Sequence, residues 1–279
     1  MLLRPFTSIS PANRHLIYLL VGCHLLWSGV LYIFWLIGQS LETAHPGWSA
    51  LFILVQLFAA TQLLLPALLL HPEERSRSFY IFWSLVLSGA IWLLNQMPAY
   101  SLLTVIKSGL LLLIATLVGA ALARYVKRLW ELIPICIAMT LADFASWSHG
   151  PTAIFSKQIT QYYLAPKGPP PLVDMILVKL AFPGRLELAP VFGISDWIMV
   201  VFFAIVAHRH KINDNLIGPD GEVVARRQQV GRYLPVSVLA LLLAIILAQT
   251  TGLFIPALPL IALIMLLWYG VRFLCQAPG

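Results

Sequence analysis

Long apolar runs, broken by short polar or turn-rich stretches, dominate the chain. About 20 apolar residues are needed to cross the hydrocarbon core of a bilayer. Eight segments predict helices of that kind: 16–38, 48–70, 79–94, 102–123, 129–149, 188–207, 233–253 and 256–274. The separators carry turn and charge signals. They include Glu42 to Gly47, His71 to Arg77, Asn95 to Pro98, and Arg124 to Arg128. Phe254-Ile255 reads as a tight turn before Pro256. The longest connection, 150–187, holds a Pro-rich patch from Ala165 to Pro171 that cannot be regular helix. Met175 to Pro183 within it is β-prone and too short to span; a strand and a re-entrant or interfacial segment are both open.

Composition agrees with the pattern. Apolar residues make up 60% of the chain and charged residues 10%, and mean hydropathy is +0.87. A soluble domain of this size carries about a quarter charged residues. The predicted fold class is therefore an all-α polytopic membrane protein of about eight helices. Cys23, Cys136 and Cys275 all lie in apolar runs and imply no disulfide framework.

The net charge of +7 does not point to nucleic acid, because the positive residues sit in short loops where they orient the chain. Thirteen of the eighteen Lys and Arg fall on one side of the alternating spans, and the short loops 39–47, 95–101 and 254–255 opposite have none. Both termini are expected in the cytoplasm, with 150–187 outside.

Two acidic residues stand out within the apolar runs, Asp143 and Asp196. A short carboxylate near mid-bilayer costs a few kcal/mol on insertion scales, roughly 3, and marks a functional candidate. Asp143 lies about six residues before the outer end of its span and Asp196 about eight after the outer start of the next. At about 1.5 Å per residue the expected depths are roughly 9 and 12 Å. Two carboxyls at one depth on consecutive antiparallel helices suit a pair that shares one proton. Such a pair activates water and polarises a carbonyl without a covalent intermediate. No cofactor is called for. His208-Arg209-His210 lacks further ligands at metal spacing and reads as an interfacial basic cluster.

In order, the residues Ala142-Asp143, Gly193-Ile194-Ser195-Asp196 and Pro256-Ala257-Leu258-Pro259 resemble the presenilin and signal-peptide-peptidase group of intramembrane aspartyl proteases. That family carries Tyr-Asp, Gly-x-Gly-Asp and Pro-Ala-Leu, and the resemblance spans roughly Leu129 to Leu274. It implies Asp143 and Asp196 as the catalytic pair. Gly193, Ile194, Ser195, Pro256, Ala257 and Leu258 would shape the substrate site. It also implies a transmembrane peptide or protein as substrate, and a strand before the second catalytic helix able to pair with it. Residues 1–128 would form an N-terminal four-helix membrane region and 129–279 the catalytic one. The chain departs from the family in Ala142 for Tyr, in Ser195 for Gly, and in eight counted spans against nine. The alternative from another class is a non-proteolytic membrane protein. It would be an ion- or proton-coupled carrier, or an inactive presenilin-like protein that binds helices.

Overall fold

The computed structural model describes residues 11–41, 46–69, 76–97, 100–165, 170–251 and 256–276. The predicted turns at 42–45, 71–75, 98–99 and 254–255, and the Pro-rich patch at 166–169, lie outside the described residues. The protein is mostly helical, and each of the eight predicted segments contains a helix. These are α1 (Pro11–Ser40), α2 (Pro46–Thr61) with its continuation α3 (Leu65–Leu68), α4 (Arg77–Asn95), and α5 (Ser101–Ala123). Then come α6 (Leu132–His149), α7 (Pro151–Leu164), α8 (Ile194–Arg209), the short α9 (Gly221–Arg226), α10 (Val236–Thr251) and α11 (Ala257–Gln276). Among the described residues five helical stretches are long and apolar enough to cross a membrane: Leu16–Ser40, Gly47–Leu68, Arg77–Asn95, Ser101–Ala123 and Leu129–His149. The second tightens to a 3-10 turn at Gln62–Leu64, immediately before Pro66, whose ring removes a rung of the ladder.

One expectation is corrected and one element is added. The sixth segment, 188–207, is helical only from Ile194. Residues Ala189–Gly193 form β2, antiparallel to β1 (Leu177–Leu180), so the all-α expectation gains a two-stranded sheet. Pro190 has no N–H for a helix ladder, and Val191-Phe192 favour extended backbone. The partner strand satisfies the backbone groups that an isolated extended segment would leave bare. The register runs Leu177↔Gly193 and Val178↔Phe192, slips, and resumes at Lys179↔Pro190 and Leu180↔Ala189. The slip leaves Val191 as the extra residue of a bulge beside Pro190. Second, the connection 150–187 opens with α7. Pro151 at its first turn favours a helix, while Ser156, Lys157, Gln158, Thr160 and Gln161 make it too polar to read as a span.

One hydrophobic cluster, from Leu19 to Tyr269, runs through both the region 1–128 and the region 129–279. Its centre is the contact of α5 with α8. Gly119 lets the backbones close up: a Cβ there would lie 2.6 Å from the Ile198 carbonyl oxygen. At the far end Arg209 donates to the carbonyls of Ala123, Arg124 and Val126, at 3.2, 3.2 and 2.7 Å. That caps the carboxyl end of α5 with a cation. The two carboxyl ends are together, so α5 and α8 run the same way.

The loop between α8 and α10 is tied down by Asn215, whose side chain bonds the carbonyls of Pro219 and Arg232 and the N–H groups of Ile217 and Leu234. Beside it Asp214 is buried, with the Tyr233 hydroxyl 3.3 Å from each carboxyl oxygen. Burial, then the charge of Asp220, pushes the Asp214 carboxyl up from 3.8 to about 8. The fold thus favours the protonated acid. The contribution of this group to stability is full below about pH 4 and is lost as pH rises through the window from about 4 to about 8. Asp214→Asn should remove that slope. Thermal melts should show the variant more stable than wild type at pH 8 and close to it at pH 4.5. A variant less stable at both would contradict this.

Candidate active site

Asp196 is placed by the hairpin. β2 ends at Gly193, which caps α8, and Asp196 is the third residue of the helix. Its Oδ2 accepts the Gly193 N–H at 2.9 Å, so the carboxylate folds back on the start of its own helix. Glycine suits position 193, because a Cβ would sit 3.2 Å from Ser195 Oγ and 3.6 Å from Asp196 Oδ2. Trp197, fully buried, stacks on Phe192 with ring centroids 6.1 Å apart and donates from Nε1 to Thr116 Oγ1 at 3.3 Å. The first turn of α8 is therefore pinned on both sides of Asp196. Ile194 is half-buried and Ser195 exposed. The expected depth of roughly 12 Å for Asp196 is not retained, because the six residues before Ile194 are not helical.

Asp143 lies six residues before the end of α6, as its span predicts. Its Oδ2 is buried and has no hydrogen-bond partner among the described residues. Its carboxyl faces the backbone N–H of Leu258 in the first turn of α11. The motif explains why that amide is free. A helix leaves its first amides without internal acceptors. Pro256 and Pro259 have none to offer, so Ala257 and Leu258 supply those that remain. The prolines thereby focus the positive end of α11 on two residues.

The two carboxyls are close enough to interact through their charges. α6 and α8 touch little directly; α11 packs against both, and against α10. The structure thus brings Asp143 and Leu258 together, and sets Asp196 with Gly193 within electrostatic reach of them.

The hairpin is fastened to the N-terminal helices. Gln56 of α2 bonds the Ala181 backbone twice, and Lys179 N–H donates to Ser108 Oγ of α5 at 3.4 Å. Gly184 N–H donates to the Gly38 carbonyl at 2.8 Å, and Trp35 Nε1 to the Leu186 carbonyl at 2.8 Å. On the α7 side, Asp174 takes Lys179 Nζ at 2.6 Å and the Tyr163 hydroxyl at 3.0 Å. None of these residues stands out in the sequence for a role at the site. The one local signal is a polar residue, Gln56 or Ser108, inside an apolar run. In the basic cluster predicted at 208–210, His208 lies 3.6 Å from Asp220 and 3.5 Å from Glu222.

Fold and site together define a helical protein with several apolar helices of membrane-crossing length. Among the described residues, α6 carries Asp143 and α8 carries Asp196, beside a β-hairpin and a proline-opened helix. Compared with known families, with curated proteins and with solved structures, the chain matches none.

Proposed function

We propose that the protein is an intramembrane aspartyl protease that hydrolyses peptide bonds within transmembrane segments. The observation that carries this reading is the convergence at one place of Asp143, Asp196 and the first amides of α11. In the proposed mechanism the pair holds one proton. The ionised carboxylate takes a proton from a water as the oxygen attacks the scissile carbonyl carbon. The protonated partner donates to the carbonyl oxygen. The tetrahedral intermediate then collapses: the carboxyl that took the water proton delivers it to the amide nitrogen, the other carboxylate takes back the hydroxyl proton, and the C–N bond breaks, which restores the singly protonated pair. No cofactor enters.

The hairpin supports the same reading. A helical substrate hides its peptide bonds in its own hydrogen bonds, and an extended one exposes them. Among the described residues the edge of β2 facing away from β1 makes no backbone hydrogen bond to another element. A substrate strand added there would run beside Gly193 and Asp196. On this reading all eight predicted segments span the bilayer and both termini are cytoplasmic. Substrates then lie with their N-termini in the cytoplasm, as the resemblance to signal peptide peptidase implies. The partners are a transmembrane peptide or protein and the bilayer.

Binding of a helix without hydrolysis is the second reading. It draws on Asp196 Oδ2, already engaged by the Gly193 amide, and on Ser195 standing where the family has glycine. Purified protein in liposomes, incubated with a panel of synthetic transmembrane peptides and examined by mass spectrometry, separates the two. New termini within the apolar segment are expected. Peptides retained intact would favour the second reading.

A further inference from the structure

Gln56 is fully buried in α2. An amide in apolar surroundings is costly unless both of its ends are paired. Here both are, and mostly to one residue. Nε2 donates to the Ala181 carbonyl at 3.0 Å and to the Phe52 carbonyl at 2.9 Å, while Oε1 accepts the Ala181 N–H at 2.8 Å. A residue that exchanges both its N–H and its C=O with one neighbour is bonded as in an antiparallel ladder. The Gln56 amide thus stands in for one residue of a strand, at the point where β1 ends. It also occupies the side of the hairpin away from β2, as Ser108 does two residues earlier.

We infer that Gln56 is a positioning residue for Asp196, an inference that rests on the proteolytic reading for its consequence but not for its test. The chain of contacts is short. Gln56 holds Ala181, and the ladder from Leu180↔Ala189 to Leu177↔Gly193 transmits that position to Gly193. The Gly193 N–H in turn holds the Asp196 carboxyl. Gly38 of α1 reinforces the seat, since a Cβ there would lie 2.5 Å from the Phe182 carbonyl oxygen. The helices before α6 are then part of the active site's frame and not only a membrane anchor.

Gln56→Met keeps the length of the side chain and removes both bonds to Ala181. Gln56→Glu, protonated, keeps both, because the acid O–H donates where the amide did and its C=O accepts. Hydrogen exchange on the full-length protein in detergent reads the amides of 177–193 directly. Gln56→Met should raise exchange at Ala181 and Gly193 roughly tenfold or more, with α10 unaffected. Gln56→Glu should stay near wild type at pH 5 and loosen as the acid ionises. Wild-type exchange at Gly193 in Gln56→Met would overturn the inference, whether or not any peptide is cleaved. Where cleavage is observed, Gln56→Met should lower kcat about tenfold with little change in KM. An unchanged kcat beside a loosened hairpin would overturn the link to Asp196. Failure of wild type to cleave would count against the protease and leave the exchange result to decide the positioning.

Discussion

On the proposed reading, Asp143→Asn and Asp196→Asn should each reduce cleavage of a transmembrane peptide to background, a loss on the order of 10²- to 10⁴-fold. Asparagine has the shape of the acid but cannot lose or deliver the proton. The fold should survive. The cap on α8 does not need the charge of Asp196, since an asparagine amide oxygen can still accept the Gly193 N–H that the carboxylate accepts now. At Asp143 the replacement can still meet the Leu258 amide. A stable but inactive protein is therefore the expected result, checked by thermal melts beside the cleavage assay. If the pair acts as one unit, as the proposed mechanism requires, the double variant should lose no more than either single one. Cleavage that persists in either single variant would remove the dyad mechanism.

The largest effect on stability is expected at Gly119. A Cβ there would stand 2.6 Å from the Ile198 carbonyl oxygen and 2.7 Å from the Val201 Cβ. Neither is the free end of a flexible side chain, so α5 and α8 would have to separate. Overpacking of this kind costs about 1–3 kcal/mol, and helices in membranes depend on such small-residue contacts for close approach. Gly119→Ala should lower the melting temperature, and Gly119→Val should leave little folded protein on size exclusion after mild heating. Gly89→Ala is the control, since its Cβ would meet nothing within 4 Å. Equal stability of Gly119→Val and Gly89→Ala would refute the close contact.

The helices are legible in the sequence because a hydrophobic run of helix length has few other uses, and α6 falls where the run from 129 to 149 places it. Residues 188–193 mislead for a physical reason. A short apolar run has no period that separates buried strand from helix, and only its pairing with the neighbouring β1 decides between them. Pro190 is the available sign. The polar composition of α7 hides a helix that Gly150-Pro151 announces. At the site, the residue types and their order are readable, and α11 starts at the Pro-Ala-Leu-Pro motif as the sequence predicts. The amide of Leu258 facing Asp143 is not readable, because it depends on how α11 meets α6. The bonds from Gln56 to Ala181 join residues far apart in sequence, and nothing local to either announces the other.

The two aspartates are embedded very differently. α8 has nine buried residues along its length, whereas α6 buries only Leu132 and Cys136, both in its first turns and far from Asp143. Around the Asp143 half, Leu141 and Phe144 face outward. On the proposed reading the outward face of that half meets lipid while its inner face packs on α11, and a bilayer thinner or thicker than the apolar length of α6 would tilt or shift the helix. On the proposed reading, one wall of the reaction site is rigid protein and the other leans on acyl chains. Lipid chain length should then change the reaction rate through the spacing of the carboxyls, with no chemical change to either.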